Sequence, residues 1–373
     1  MNQAIGKHKL ELDTPCLVLD IEILEKNLAT MQEVARRAGK NLRPHAKTHK
    51  CSIIAQKQIE AGAVGMSVAK ISEAERLIEM GIRGILVTAP VVSPPKIERF
   101  LGCLQKDPSL MVVIDDLDNA RSLDQSLKAR DLRAGVLIDI DVGLQRTGIA
   151  PGRAVEFTSS ISRFTSIHLK GIQAYAGQVQ HIIGHKERME KSLQEMLPAS
   201  EVFTRLKKAL PECRIFSGAG TGTHDIDTRI PELTELQTGS YAVMDAEYLA
   251  IGSAENPTQF DAFQPALTIL TTVVSTNQKS FVTVDAGLKA IYRDGANPIV
   301  LSPKKEDMTY DWFGDEYGRI RYEESAGTPR LGSIIELIVS HCDPTINLFD
   351  RFYVTQNGKV IDVWEIDLRG RSQ

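Results

Sequence analysis

Short apolar runs alternate with amphipathic segments between about residue 40 and residue 250. In the amphipathic segments the apolar residues recur at intervals of three and four, which is typical of a helix that buries one face. The apolar runs are rich in β-branched residues and stop at glycine, proline or polar residues, which is typical of strands. The predicted strands are 42–47, 64–69, 84–89, 110–115, 136–141, 169–175, 213–218 and 234–239. Eight strand–helix units favour a TIM (β/α)8 barrel over a doubly wound sheet, which usually has fewer strands and a GxGxxG sequence after the first.

After about residue 255 the pattern changes to strands with little helix between them. The strand-like segments are 266–276, 280–290, 298–302, 318–324, 333–341 and 351–367. Asn357-Gly358 divides the last of these into two halves, which is a strong hairpin signal. We predict an antiparallel β domain here, joined by the strand-like residues 14–20, which precede a predicted helix at 21–39. The predicted domains are a barrel at 21–255 and a β domain formed by 1–20 and 256–373.

The composition is that of an ordinary globular protein, with 42% hydrophobic and 25% charged residues in a chain of 373 and a formal net charge of −4. Lys and Arg are scattered, so no nucleic-acid-binding surface is predicted. No apolar stretch reaches the roughly 20 residues that a membrane span needs. The five cysteines show no CxxC pairing, which is evidence against disulfides and against a zinc ribbon. Because the first residues lack the apolar core of a signal peptide, we expect a cytoplasmic protein.

A cluster of basic residues ends the first predicted barrel strand, and the active sites of TIM barrels lie at the C-terminal ends of their strands. A period of two places His45, Lys47 and His49 on one face, so Lys47 is predicted to point into the barrel mouth. A partly buried lysine beside other cations has a lowered pKa, which an amine that forms a Schiff base requires. A basic turn on the surface is the alternative interpretation.

Polar and glycine-rich segments follow the later barrel strands. Arg146 comes after the fifth strand, Tyr175 lies at the end of the sixth, and His181 follows it. The seventh and eighth strands run into the glycine-rich segments 217–223 and 237–241. Backbone N–H groups in such turns can converge on a phosphate, although a single turn of this kind is more often a plain loop. Two of them, opposite a lysine on the first strand, indicate a phosphorylated aldehyde cofactor, pyridoxal phosphate (PLP).

The β domain contains a possible metal pair at the end of a predicted strand, in the sequence Ser340-His341-Cys342-Asp343. Residues two apart in a strand point the same way, so His341 and Asp343 can share a divalent ion, whereas Cys342 is predicted to face the core. Two such residues by themselves are usually a chance pair on the protein surface that binds no metal.

Taken together, these segments resemble the fold-type III PLP enzymes, and specifically the D-threonine aldolase and D-serine dehydratase family. The matching segments extend in order over nearly the whole chain: LDTPCLVLD, RPHAKTHK, SEAE, DVGLQRTG, GIQAYAGQVQH, SGAGTGT, ELQTGSYAVMDAEY, VDAGLKA and HCDPTINL. The resemblance implies an alanine-racemase-like barrel followed by a β domain, and a head-to-tail homodimer.

The same resemblance implies roles for individual residues. Lys47 holds the cofactor as a Schiff base, Arg146 approaches the cofactor 3-oxygen and the substrate carboxylate, and Tyr175 lies at the pyridine ring. Gln237 occupies the position at which alanine racemases have an arginine against the pyridine nitrogen, and a neutral glutamine does not supply that charge. The implied phosphate-binding residues are Gly218, Gly220, Thr221, Gly239 and Ser240.

The metal motif divides the family. Dehydratase members resemble H-x-C, which suits zinc, and aldolases resemble H-x-D, whose harder ligands suit manganese or magnesium. His341 and Asp343 therefore favour the aldolase branch, with Mn²⁺ or Mg²⁺ rather than Zn²⁺.

The predicted function is a D-threonine aldolase that cleaves small D-β-hydroxy-α-amino acids to glycine and an aldehyde, with His181 as the base that removes the hydroxyl proton. A solvated loop histidine is the alternative for His181. The alternative functions are a dehydratase of D-serine or D-threo-3-hydroxyaspartate and a 3-hydroxy-D-aspartate aldolase. A non-catalytic PLP carrier is a further alternative, but such carriers resemble the barrel alone, which the β domain and the metal pair oppose.

Overall fold

The structure is a computed structural model that describes residues 3–302, 308–322 and 328–373. Its chain divides into two compact units. The barrel unit comprises residues 31–47, 52–239 and 370–373, and the β unit comprises 1–30, 48–51 and 240–369. In the described ranges, no helix has both the length and the apolar character that crossing a membrane requires.

The barrel unit alternates strands and helices. Its strands are β2 (Asn41–Leu42), β3 (Ser67–Val68), β4 (Leu86–Val87), β5 (Met111–Ile114), β6 (Ala134–Ile140), β7 (Ile167–Ala174), β8 (Ile215–Gly218) and β9 (Glu235–Leu236). Its helices are α2 (Ser52–Glu60), α3 (Ile71–Glu79), α4 (Pro94–Lys106), α5 (Leu117–Lys128), α6 (Ala154–Ile161), α7 (His185–Ala209) and α8 (His224–Asp227), with short 3-10 turns at Pro151–Arg153, Gly177–Val179 and Thr221–Thr223.

The β unit consists mainly of strands. They are β1 (Cys16–Asp20), β10 (Leu267–Ser275), β11 (Phe281–Val284), β12 (Ile299–Ser302), β13 (Thr309–Trp312), β14 (Gly318–Arg321), β15 (Ile334–Ile338), β16 (Arg351–Gln356) and β17 (Lys359–Glu365). Two short helices, α9 (Ala246–Leu249) and α10 (Cys342–Ile346), and 3-10 turns at Lys9–Glu11 and Ser240–Ala242 complete it, and α1 (Ile21–Arg37) runs from this unit into the barrel unit.

All eight barrel strands are parallel, in the order β2-β9-β8-β7-β6-β5-β4-β3. The sheet closes on itself because the chain after β2 also bonds to the segment around β3. The Ser67 amide donates to the Pro44 carbonyl at 2.8 Å, and the Ala46 amide donates to the Ser67 carbonyl at 2.9 Å. Each of the eight predicted strands overlaps one of these strands, so the predicted barrel is confirmed.

The barrel interior is layered, because every second residue of a strand points inward. Apolar residues of β4, β5 and β6 form a buried cluster, against which Ile215 packs: Leu86, Met111, Val113 and Leu137. Two residues further along their strands, polar side chains replace the apolar ones, at Thr88, Asp139 and Ser217. The upper layer of the barrel, toward the C-terminal ends of the strands, is therefore polar.

A buried ion pair joins the first and last barrel strands. Arg43 and Glu235 are both buried, with Arg43 Nε 2.7 Å from Glu235 Oε2 and Nη2 2.7 Å from Oε1. Arg43 Nη1 also donates to the Gly84 carbonyl. The guanidinium thus connects three of the barrel segments.

The strands of the β unit form one sheet, in which β1 lies between β10, its antiparallel neighbour, and β16, its parallel neighbour. This confirms that residues 14–20 pair with the C-terminal strands. Asn357 and Gly358 both have positive φ values, 50° and 74°, and they form the predicted hairpin turn between β16 and β17. Strand β13 was not predicted, and residues 323–324 of the predicted segment 318–324 lie outside the described residues.

Candidate active site

Lys47 lies just beyond the C-terminal end of the first barrel strand. The chain forms a single parallel bridge at His45, opposite Ser67, and then turns over residues 46–49. The prediction that His45, Lys47 and His49 share one strand face is therefore wrong, because the extended chain stops at His45. The two histidines are buried, whereas Lys47 is exposed and not partly buried as predicted.

His45 supports the turn that carries this lysine. Its Nδ1 accepts the Lys47 backbone amide at 3.4 Å, so its Nε2 carries the proton and donates to Thr88 Oγ1 at 3.1 Å. The Thr88 hydroxyl in turn donates to the Val68 carbonyl at 3.0 Å. These bonds connect the backbone of Lys47 to strands β3 and β4.

Three glycines at the end of β8 and in the turn after it, at positions 218, 220 and 222, lie so close to other atoms that a side chain would collide. A Cβ added to Gly218 would lie 2.3 Å from the Ala174 carbonyl oxygen, and one added to Gly222 would lie 2.0 Å from the Gln180 carbonyl oxygen. A Cβ on Gly220 would lie 2.3 Å from Gln180 Oε1. Backbone without side chains at the C-terminal end of a barrel strand is the environment in which N–H groups bind a phosphate.

Buried side chains hold this turn from behind. Gln180 Oε1 accepts the Gly222 amide at 3.1 Å. Thr223 Oγ1 donates to Asp227 Oδ2 at 2.5 Å, and Ser192 Oγ donates to Asp227 Oδ1 at 2.7 Å. Burial raises the pKa of Asp227 to about 6, although both hydroxyl hydrogen bonds oppose that rise. No sequence pattern indicates this support, because its members come from α7, α8 and two loops.

Thr238 follows β9 and precedes Gly239 and Ser240. It is completely buried, and its hydroxyl has no hydrogen-bond partner among the described residues. A buried hydroxyl without a partner costs free energy, and a polar ligand group at this place would remove that cost. The glycine turn and this hydroxyl fit a phosphate group, and the sequence interpretation did not single out Thr238.

The polar layer of the barrel forms a hydrogen-bonded chain. Gln237 Nε2 donates to Ser217 Oγ at 2.9 Å and to Gln173 Oε1 at 3.2 Å. Gln173 Nε2 donates to Asp139 Oδ1 at 3.0 Å and to the Thr88 carbonyl at 3.1 Å. The side chains of four of these residues are buried: Gln237, Ser217, Gln173 and Asp139. The sequence signal for such a layer is a polar residue at the next inward-facing position of a strand whose earlier inward-facing positions are apolar.

Arg146, Tyr175 and His181 follow β6 and β7 as predicted, and Arg146 is exposed whereas the other two are half-buried. Burial raises the pKa of Asp139, while the Thr147 hydroxyl, which donates to Asp139 Oδ2 at 2.7 Å, and the charge of Arg146 counteract the rise. The guanidinium of Arg146 therefore acts on the polar layer.

The predicted metal pair lies in the β unit. His341 is extended and precedes α10, and Asp343 belongs to the first turn of that helix. The prediction that both lie on one strand is wrong, because β15 ends at Ile338 and a helix starts at Cys342. The exposure pattern is nevertheless the predicted one: the two candidate ligands are partly exposed, and Cys342 between them is fully buried.

Carboxylates surround His341. Its Nδ1 lies 3.2 Å from Asp294 Oδ2 and 3.8 Å from Glu247 Oε2. Burial lowers the pKa of His341, but the surrounding carboxylates, Asp343 first among them, outweigh burial and raise it. Among the residues that the structure describes, no group of three or more His, Cys, Asp or Glu side chains is arranged to hold a metal ion.

Comparison with known proteins places the chain in a family. The family profile described as alanine racemase, N-terminal domain, matches residues 19–247, and a serine dehydratase domain profile matches residues 266–355. The chain belongs to the alanine racemase N-terminal domain family. This confirms the predicted family and the alanine-racemase-like fold.

Individual relatives are similar over almost their whole length. A D-threonine aldolase from Arthrobacter sp. is 37% identical, over 99% of this chain and 96% of the relative. A 3-hydroxy-D-aspartate aldolase from Paracoccus denitrificans (strain Pd 1222) is 34% identical, over 98% of this chain and 94% of the relative. The crystal structure of D-threonine aldolase from Filomicrobium marinum superposes with a TM-score of 0.91 at 33% identity, covering 99% of this chain and 98% of that one. These relatives confirm the predicted enzyme class, an aldolase that breaks a carbon–carbon bond.

Proposed function

We propose that the protein is a PLP-dependent aldolase that uses a divalent metal ion to cleave D-β-hydroxy-α-amino acids, D-threonine foremost, to glycine and an aldehyde. The named activities of the aldolase relatives support the substrate class. The observation that carries the cofactor is the pairing of an exposed lysine at the end of the first barrel strand with a turn after β8 whose three glycines have no room for a side chain.

We assign the cofactor to the upper end of the barrel. Lys47 supplies the amine that forms the Schiff base, and Tyr175 lies at the ring. The proposed phosphate-binding residues are Gly218, Gly220, Thr221, Gly239 and Ser240, to which we add Thr238 because of its buried hydroxyl. When bound, PLP supplies an electron sink for the bond that breaks at the substrate α-carbon.

The remaining barrel residues act on the substrate. Arg146 is exposed and cationic, and it is proposed to bind the α-carboxylate. A guanidinium matches a carboxylate with two parallel N–H donors, which fixes the orientation of the α-carbon. His181 is proposed to take the proton of the β-hydroxyl, so that the oxygen can become the aldehyde carbonyl.

We propose His341 and Asp343 as the protein ligands of the metal ion, with water completing its coordination. An imidazole and a carboxylate are donors that suit Mn²⁺ or Mg²⁺ better than a thiolate would. A divalent ion there supplies a Lewis acid that lowers the pKa of a hydroxyl bound to it. Asp294 at 3.2 Å from His341 Nδ1 leaves Nε2 of the ring for the metal.

A 3-hydroxy-D-aspartate aldolase is the second candidate, because relatives of that name are 34% identical over nearly the whole chain. The dehydratase relative from Delftia sp. (strain HT23) is less similar, at 27% identity. Together with Asp343 at the position of the dehydratase cysteine, this favours cleavage over dehydration. We also propose a homodimer, and a fully active monomer in sedimentation would contradict it.

The cofactor assignment is tested on the purified holoenzyme by borohydride reduction and peptide mapping. The reduced cofactor should be found on Lys47, and Lys50 and Lys70, which both follow it in the chain, serve as internal controls. Label on either control, or an absence of bound PLP, contradicts the assignment.

Product analysis with D-threonine, D-serine and 3-hydroxy-D-aspartate then identifies the reaction. Glycine with acetaldehyde supports the proposal, glycine with glyoxylate supports the second candidate, and pyruvate or oxaloacetate contradicts both.

A further inference from the structure

The hydrogen-bonded chain in the upper barrel has a fixed direction. The Thr88 carbonyl can only accept a hydrogen bond, and it lies 3.1 Å from one end of the Gln173 amide. That end must therefore be the nitrogen, and its second hydrogen goes to Asp139 Oδ1 at 3.0 Å. The oxygen of Gln173 consequently faces Gln237.

The orientation of Gln173 determines that of Gln237. Because Gln173 presents an oxygen, Gln237 must present its nitrogen, at 3.2 Å. The second hydrogen of that nitrogen goes to Ser217 Oγ at 2.9 Å. Both hydrogens of the Gln237 amide are then committed, whereas no hydrogen bond to its oxygen is found in the described part of the chain. The barrel thus presents an acceptor, held in place by the bond to Gln173, which a flipped amide could not make.

A ligand group that contacts that oxygen at this end of the barrel is best matched to it as a hydrogen-bond donor. If the ligand is PLP, as the proposed function holds, few of its groups can donate. Its phosphate and its 3-oxygen are anionic acceptors, and the nitrogen supplied by Lys47 lies beside that same 3-oxygen. The pyridine nitrogen is a donor when it is protonated and an acceptor when it is not.

We infer that Gln237 accepts a hydrogen bond from the protonated pyridine nitrogen of the cofactor, and that Gln173 and Asp139 are positioning residues that hold its amide in the accepting orientation. This inference rests on the proposed function. An arginine at position 237 could only donate, and it would therefore require an unprotonated nitrogen. The protonated ring is the stronger electron sink, so the direction of one amide sets the electronic character of the bound cofactor.

The experiment reconstitutes the protein with PLP labelled with ¹⁵N in the ring and records the ¹⁵N NMR signal of the holoenzyme at neutral pH. The parent protein should show a protonated ring nitrogen. Gln237→Leu, which removes the acceptor, should show an unprotonated nitrogen and bind PLP about tenfold or more weakly, the effect of losing a hydrogen bond to a charged group. Gln237→Glu should retain the protonated signal, because a carboxylate can only accept.

The positioning role has its own variants. Gln173→Met removes the bonds to Asp139 and to Gln237 at similar volume, which frees the Gln237 amide to rotate, and should lower the protonated fraction while Lys47 remains labelled by borohydride. Gln56→Met on the exposed face of α2 is the matched control and should change nothing. An unchanged signal in Gln173→Met overturns the positioning role.

The outcomes separate this inference from the function on which it rests. An unprotonated ring nitrogen in the parent, with PLP bound to Lys47, overturns the inference and leaves the proposed function standing. Absence of bound PLP overturns both. A protonated nitrogen in the parent and in Gln237→Glu, lost in Gln237→Leu, supports the inference.

Discussion

Asp227 should make the stability of the protein depend on pH in a way that a single substitution removes. This carboxyl is fully buried behind the glycine turn, and its pKa is raised from the ordinary 3.8 to about 6. Between these values the folded protein keeps a proton that the unfolded chain has released. The folded state therefore binds more protons than the unfolded state, so the contribution of Asp227 to stability falls as the pH rises. The difference of about two pKa units corresponds to about 3 kcal/mol.

The variant Asp227→Asn has the same shape and no charge at position 227, so its stability does not fall in this way as the pH rises. We expect the free energy of unfolding of the variant, relative to the parent, to increase by up to about 3 kcal/mol between pH 4 and pH 7. Urea unfolding at a series of pH values measures it, and other titrating groups cancel in the comparison. Asp118→Asn, at an exposed position on α5, is the matched control and should not reproduce this increase. A flat difference for Asp227→Asn would refute the reasoning.

Two further perturbations follow from the buried ion pair and from the metal pair. Glu235→Leu leaves the Arg43 guanidinium buried without its carboxylate and should lower the free energy of unfolding, measured with urea, by about 3–5 kcal/mol. The double variant Arg43→Met with Glu235→Leu should recover most of that loss. A double variant as unstable as the single one would contradict this prediction. A chelator should abolish aldehyde production without removing PLP, and Mn²⁺ should restore that production better than Zn²⁺. Asp343→Ala should behave like the metal-free enzyme, whereas Cys342→Ala should retain its activity. Full activity of metal-free protein would exclude the proposed role of the metal.

The barrel could be predicted because its strands and helices differ in period, and periodicity depends on the local sequence alone. The strand β13 could not, since the polar residues Thr309 and Asp311 interrupt the apolar run that would identify it. It exists because it pairs with β14, which is a tertiary contact.

The site was predicted at the level of residues and not of geometry. Lys47 and the glycine-rich turns were found because strand ends and glycines are visible in the sequence. The assumption that strands continue through His49 and Asp343 failed, because a turn and a helix start there. The chain from Asp139 through Gln173 to Gln237 was missed, since each member looks like one polar residue in an apolar run until the barrel brings the three together.

The position of β1 determines when the β unit can be completed during synthesis. This strand, Cys16–Asp20, pairs with β10 and β16, which are made some 250 and 330 residues later. At a synthesis rate of roughly 5–20 residues per second, the apolar residues of β1 remain without their pairing partners for tens of seconds. The barrel strands β2 to β9 emerge within that interval and have all their pairing partners among themselves. A nascent chain stalled near residue 280, which exposes β9 outside the ribosome, should therefore carry a formed barrel and an unpaired N-terminal strand, which is a natural binding segment for a chaperone.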